Sequence, residues 1–304
     1  MKRDLYNSEQ ALKNLLEKIE RSNMGRLNKR YLLQYNELQI IKGVSRHRQI
    51  KCLRHLVRTC EILNKNLYNI NQHDIIHLLA YLKQHNYSEY TIYDYKIILK
   101  VFYNDTLPKN KVPDHITKMS TGKKPTSDKI ILSPEEIKDL QALKLESPHH
   151  KAYLHVTIET GARIGEIMNI RYTDIEYTDF GAYITVDGKT GTRTIPITDS
   201  VKMLLAQHKK AENEDDYIFW FSYDFIRRKI KIMLKDAGYS DTYMYMFRKS
   251  RATLLFSDLP EQIVKKYMGW TKSSRMAEFY SFIPQEVMTA AILESKDRSL
   301  LSRA

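Results

Sequence analysis

A chain of 304 residues with 49 Lys and Arg against 36 Asp and Glu carries a formal charge of +13, which points to a polyanionic partner, nucleic acid first and an anionic membrane second. With 42% hydrophobic and 28% charged residues it orders into globular domains rather than a disordered basic tail, and its length suggests two of them. Two cysteines, Cys52 and Cys60 on one expected helix, argue against a disulfide framework or a cysteine zinc site, and the absence of a run of about 18 apolar residues or of a signal peptide makes the chain read as soluble and intracellular, not membrane-bound.

Residues 8–22 place Leu12, Leu15, Leu16 and Ile19 at helical spacing, so residues 1–27 read as an amphipathic helix, docked or projecting. From Asn28 to about Ile116 the pattern stays helical. Leu32 to Ile41 form one segment ended by Gly43. Ser45 caps a second with Ile50, Leu53, Leu56, Val57, Cys60 and Leu63, Asn71 caps a third, and a fourth starts near Ser88. Residues 28–118 are thus expected to be a helical bundle.

Residues 1–118 hold 21 Lys and Arg against 11 Asp and Glu, a net of +10 out of the whole chain's +13. Between Lys42 and Arg58 lie Lys42, Arg46, Arg48, Lys51, Arg54 and Arg58 with no acidic residue. Such a stripe suits DNA phosphates, whose neutralisation releases counterions; a solvated helix face accounts for it about equally well. Residues 119–129, with Lys123, Lys124, Gly122 and Pro125, read as an exposed basic linker.

A second domain, residues 130–304, opens with a helix start in which Ser133 is the cap, Pro134 sits in the first turn and Glu136 lies three residues past the cap. Its helical pattern breaks once, over residues 182–197, where Tyr183, Thr185 and Ile195 alternate and Asp187-Gly188 and Thr190-Gly191 supply turns, giving a β-hairpin or small sheet with Lys189 at its turn. Helices resume near Asp199, with breaks at Gly238 and Pro260.

Three clusters carry chemistry. In residues 160–176 Arg163 follows a glycine at the start of a helix expected to contain Ile164, Ile167, Met168 and Ile170, where its planar fork of donors can reach a phosphate from a rigid base. In residues 243–260 the cations Arg248, Lys249 and Arg251 crowd a helix start, which favours an anion between them unless only Arg248 points inward. In residues 264–284 Gly269 ends a helix, Trp270 follows, and Tyr280 lies ten residues later. With 21 tyrosines in the chain, Tyr280 is not distinguished on physical grounds alone.

The ordered segments TGARIGEI, IRYTDI, GKTGTRTIPI, FRKSRATLL, MGW and AEFYSFI, spread from Thr160 to Ile283, resemble the tyrosine recombinase, or phage integrase, family, and look most like its archaeal and archaeal-virus members. The resemblance implies a mainly α fold with a small β-hairpin or sheet, in which an α-helical, SAM-like core-binding domain precedes a mixed α+β catalytic domain. It matches Arg163 and Arg248 to the two arginines that hold the scissile phosphate, Lys189 to the hairpin lysine that protonates the leaving oxygen, Trp270 to the His/Trp position, Tyr280 to the nucleophile and Glu166 to a supporting acidic position. Where the family usually has His, this chain has Tyr245, and a phenol does not exchange its proton near neutral pH as imidazole does.

The implied activity is site-specific cleavage and rejoining of DNA through a 3′-phosphotyrosine, without metal, ATP or other cofactor. The implied partner is double-stranded DNA at defined sites, clamped between the two halves by four protomers that are monomeric or weakly associated when free. Val287, Met288, Ala291, Ile292 and Leu293 mark a helix in the tail that exchanges with a neighbouring protomer or packs on its own domain. A type IB topoisomerase-like strand transferase and a non-catalytic DNA-binding or architectural protein of the same fold are the rival readings.

Overall fold

The computed structural model describes residues 3–124, 131–145, 147–179, 181–188, 190–207, 217–239 and 244–277. The chain divides into two compact units, one formed by Tyr6–Asp128 and the other by Met1–Leu5 with Lys129–Ala304. The fold is mainly helical with one small sheet.

The first unit contains α1 (Ser8–Arg21), α2 (Arg26–Ile41), α3 (Arg46–Leu63), α4 (Gln72–Gln84), α5 (Glu89–Thr106) and the single turn α6 (Asp114–Thr117). Their apolar stripes meet in one core that includes Leu32, Tyr35, Leu53, Leu56, Leu78, Ile98 and Phe102. The amphipathic α1 docks on α3 and buries Leu12 and Ile19. Asn71 and Asp74 cap α4 reciprocally, and the Ser88 hydroxyl accepts the Thr91 N–H at 3.2 Å, so the backbone donors left over at these helix starts are satisfied. Ile40 and Ile41, in apolar register by sequence, are exposed where α2 runs out. Cys52 and Cys60 are buried free thiols on α3, and burial pushes Cys60 up to about 12.

The second unit contains α7 (Pro134–Ala142), α8 (Pro148–Thr160), α9 (Ile164–Ile167), β1 (Ile175–Thr178), β2 (Gly181–Gly188), β3 (Gly191–Ile197), α10 (Asp199–Gln207), α11 (Tyr223–Asp236), α12 (Tyr245–Asp258) and α13 (Glu261–Met268). Helix α8 is buried continuously from Ala152 to Thr160 and forms the axis of the core. The sheet is antiparallel in the order β1-β2-β3. Ala182, Ile184 and Val186 of β2 face the core, with Ile184 opposite Ile195, and Tyr183 and Thr185 take the other side.

Two expectations need correction. The strand β1 lies in a stretch read as helical, because its four residues are too few to show alternation. The helix after Arg163 is one turn, Ile164–Ile167, and Ile170 lies beyond it, buried by the chain's turn towards β1 rather than by helical periodicity.

Residues 3–5 are part of this second unit. The Arg3 backbone N–H donates to Asn169 Oδ1 at 3.0 Å, its guanidinium donates to the Phe219 carbonyl at 2.7 Å and to the Met168 carbonyl, and it lies 4.0 Å over the Tyr217 ring. Leu5 packs against the core beside Gly165. A three-residue strap thus holds the segment that carries α9.

Candidate functional site

Arg163 stands immediately before α9, in extended conformation, because α8 ends two residues earlier on Gly161 in the left-handed region, φ 55°. A Cβ on Gly161 would lie 3.0 Å from the Arg251 Cβ, so the turn closes against α12. Glu166 reaches back from α9: its Oε2 accepts the Arg163 N–H at 2.8 Å and its Oε1 accepts Arg163 Nη1 at 2.7 Å.

Glu166 also accepts Arg193 Nη2 on Oε2 at 2.8 Å. Burial alone would raise its carboxyl, but the hydrogen bond and charge of Arg193, then the backbone and side-chain hydrogen bonds of Arg163, outweigh it and bring the group down to about 2. Arg193 sits on β3, and its Nε donates to the Tyr267 carbonyl at 2.8 Å. Sequence reading missed it, although it lies within the GKTGTRTIPI segment. The available signal was a cation facing across two strands towards an acidic helix turn, and that needs the register Val186 opposite Arg193 to be seen.

Arg248, on the first turn of α12, is 2% exposed. Its Nη1 donates to the Gly161 carbonyl at 2.7 Å and its Nη2 to the Met268 carbonyl at 2.6 Å, which ties the turn before Arg163 to the end of α13. Burial, then the charge of Arg163, hold it below the ordinary guanidinium range, while Glu166 and Tyr245 pull the other way. Its Nε is buried without a partner among the described residues. Arg163 stays about a third exposed, so one arginine is fixed inside the site and the other reaches its mouth.

Gly269, φ 65°, ends α13 and delivers Trp270, which stacks on Phe256 at 6.2 Å with its ring 5.9 Å from the Arg248 guanidinium. Trp270 belongs to a small cluster with Ala252, Val264 and Met268. Of the cationic cluster on α12, Arg248 and Lys249 are both buried, and Arg251 Nη2 lies 3.5 Å from the Tyr267 hydroxyl. Tyr245 opens α12 and is 40% exposed. Arg163, Glu166, Arg248 and Trp270 therefore come together. Lys189, Tyr280 and the tail from residue 285 lie outside the described residues.

In the helical unit the basic stripe meets carboxylates, three of them from other helices and Glu61 from α3 itself. Lys42 Nζ is 2.6 Å from Asp105, Lys51 Nζ is 2.6 Å from Asp94, Arg46 is 3.3 Å from Glu9 and Arg58 is 2.9 Å from Glu61. Arg48 and Arg54 have no ion pair among the described residues, and Arg54 is exposed. Lys123 is exposed, and Lys124 lies 5.3 Å over the Tyr90 ring, whose hydroxyl holds its ammonium above the usual lysine range.

Three guanidinium groups, Arg163, Arg193 and Arg248, gather around the single carboxylate of Glu166. Two positive charges are left uncompensated within this group, an electrostatic balance that favours an anion beside it.

The model of the phage integrase family matches residues 131–282, half of the chain. Tyrosine recombinase XerC of Roseiflexus sp. (strain RS-1) is 26% identical over 147 residues, 46% of either chain. Tyrosine recombinase XerA of Saccharolobus solfataricus is 27% identical over 104 residues, 34% of this chain and 35% of that one. The matches thus span less than half the length of these curated relatives. A lambda integrase dimer bound to a COC′ core site is similar with a TM-score of 0.68 at 17% identity, over 90% of this chain and 85% of that one. XerH site-specific recombinase bound to its difH substrate, before cleavage, is similar with a TM-score of 0.61 at 15% identity, over 96% of each chain. At these identities the likeness is one of fold.

Proposed function

Because the chain belongs to the phage integrase family, we propose that it is a tyrosine-type site-specific DNA recombinase that cleaves and rejoins strands through a 3′-phosphotyrosine. The observation that carries this reading is Arg248 bonded to the carbonyls of Gly161 and Met268, which ties the segment of Arg163 and Glu166 to the turn before Trp270.

In the proposed reaction the Tyr280 oxygen bonds to phosphorus and the bond to the 5′ oxygen breaks. The phenolic proton passes to solvent, and Lys189 gives a proton to the departing oxygen, which leaves as a 5′-hydroxyl. Charge growing on the nonbridging oxygens is met by Arg163 and Arg248. Arg248 commits two of its five N–H donors to carbonyls, which fixes the guanidinium plane and leaves other N–H groups, Nε among them, to meet the anion without reorientation. The phosphotyrosine conserves the energy of the broken bond, so a second DNA end reverses the attack without ATP.

The helical unit supplies sequence-independent attraction through Arg48, Arg54, Lys123 and the paired cations of α3. Four protomers on two duplexes follow from the proposed strand exchange, and the lambda integrase and XerH complexes are both assembled on DNA.

The test is covalent capture on a library of nicked suicide duplexes of randomised sequence, with Tyr280→Phe as control. The expected result is a detergent-resistant protein–DNA adduct that the control lacks. Tight DNA binding with no adduct would leave a DNA-binding protein of the same fold, and relaxation of supercoiled circles without site preference would leave a topoisomerase-like strand transferase.

A further inference from the structure

We infer that Arg193 is a positioning residue for the phosphate grip, holding Arg163 through Glu166 on one side and Arg248 with Trp270 through the last turn of α13 on the other. This rests on the reading of Arg163 and Arg248 as the groups that hold the scissile phosphate.

The last carbonyls of a helix have no intrahelical partner and carry the partial negative end of its dipole. At the end of α13 three successive ones are all used: Tyr267 accepts Arg193 Nε at 2.8 Å, Met268 accepts Arg248 Nη2 at 2.6 Å, and Gly269 accepts the Thr190 hydroxyl at 2.7 Å. Arg193 and Arg248 are thereby set on adjacent carbonyls of one turn. Gly269 closes that turn over Arg193, since a Cβ there would lie 2.9 Å from Nη1. The other arm of the same guanidinium is fixed on Glu166, the carboxylate that orients Arg163.

The Arg193 guanidinium is engaged within the protein: its side chain is 7% exposed, and its Nε and Nη2 are held by the Tyr267 carbonyl and the Glu166 carboxylate. Its planar fork serves Glu166 and Tyr267 at once. An ammonium on a flexible stem keeps the charge but not the two-way geometry.

The experiment compares the wild-type chain, Arg193→Lys and Arg193→Ala on an adduct-forming suicide duplex made in three versions. One has the ordinary phosphodiester, one a neutral methylphosphonate at the scissile position, and one a 5′-bridging phosphorothiolate, in which the P–S bond breaks and sulfur departs without needing a proton. Arg193→Lys is expected to slow adduct formation on the phosphodiester and the phosphorothiolate alike, by about 10²-fold. On the methylphosphonate, which has one anionic oxygen fewer to grip, the deficit should shrink below about tenfold, while the melting temperature stays near that of the wild type. Arg193→Ala should follow the same order with larger deficits.

Wild-type rates in Arg193→Lys, recovery on the phosphorothiolate instead, or one equal deficit on all three duplexes would each overturn the inference. The second outcome would assign Arg193 to the leaving-group side, and the third to general folding. A wild-type chain that forms no adduct on any version would bring down the recombinase reading together with it.

Discussion

Glu166 divides its carboxylate between two arginines, accepting Arg163 on Oε1 at 2.7 Å and Arg193 on Oε2 at 2.8 Å. Its side chain is 3% exposed, so neither pair is screened by water as a surface pair would be.

The first prediction concerns acid stability. The Glu166 carboxyl falls from 4.5 in the unfolded chain to about 2 in the folded one, so its stabilisation is complete above the unfolded value and is lost as pH falls through the folded one. The contribution is roughly 3 kcal/mol. Between about pH 5 and pH 2 the wild-type chain should lose stability more steeply than Glu166→Gln, which starts lower at neutral pH because it leaves two arginines under-compensated. Denaturant melts across that range measure it, and parallel curves for the two proteins would contradict it.

Arg248→Lys should fold but cleave poorly. One ammonium cannot hold the Gly161 and Met268 carbonyls and also face the anion, so adduct formation should fall by about 10²-fold or more. Duplex affinity, dominated by many phosphate contacts, should change less than tenfold. Single-turnover adduct kinetics set beside fluorescence anisotropy separate the two effects. A loss confined to affinity would count against the site as described.

Removing the strap side chain should loosen the segment that carries Arg163. Arg3→Ala deletes bonds to the Met168 and Phe219 carbonyls and the contact with the Tyr217 ring. The expected cost is about 1–3 kcal/mol in urea melts. Hydrogen exchange should quicken across residues 164–170 before it does in α8, and uniform quickening would argue against a local role.

Releasing a paired cation of the helical unit and removing an unpaired one should have effects of opposite sign. Asp94 holds Lys51 at 2.6 Å, so Asp94→Asn should release it and steepen the salt dependence of binding to a non-specific duplex by about one unit of log–log slope. Arg54→Gln should make that slope shallower by about one. Affinities measured over a series of salt concentrations decide both, and an unchanged slope in either variant would remove that residue from the interface.

The helical unit was largely legible in the sequence because its caps and stripes are local: Asn71 and Ser88 cap the helices expected of them, as Ser133 does in the second unit, whereas Ser45 stands before α3 without a side-chain capping hydrogen bond. The spacing of Arg163, Glu166, Arg248 and Trp270 followed the ordered motifs, and the structure gathers all four. Arg193 was not legible, since its role depends on Tyr267, 74 residues further on, and on a strand register that composition does not reveal. The basic stripe looked unopposed for the same reason: Lys42 and Lys51 meet Asp105 and Asp94 on α5, far along the chain.

The strap has a consequence for synthesis. Arg3 donates to the carbonyl of Phe219, 216 residues later. At about 5–20 residues per second, translation keeps this arginine waiting for roughly 10–40 s before its acceptor leaves the ribosome. The helices of residues 6–128 can condense during that interval, whereas the unit built from residues 129 onwards is sealed by residues made before it.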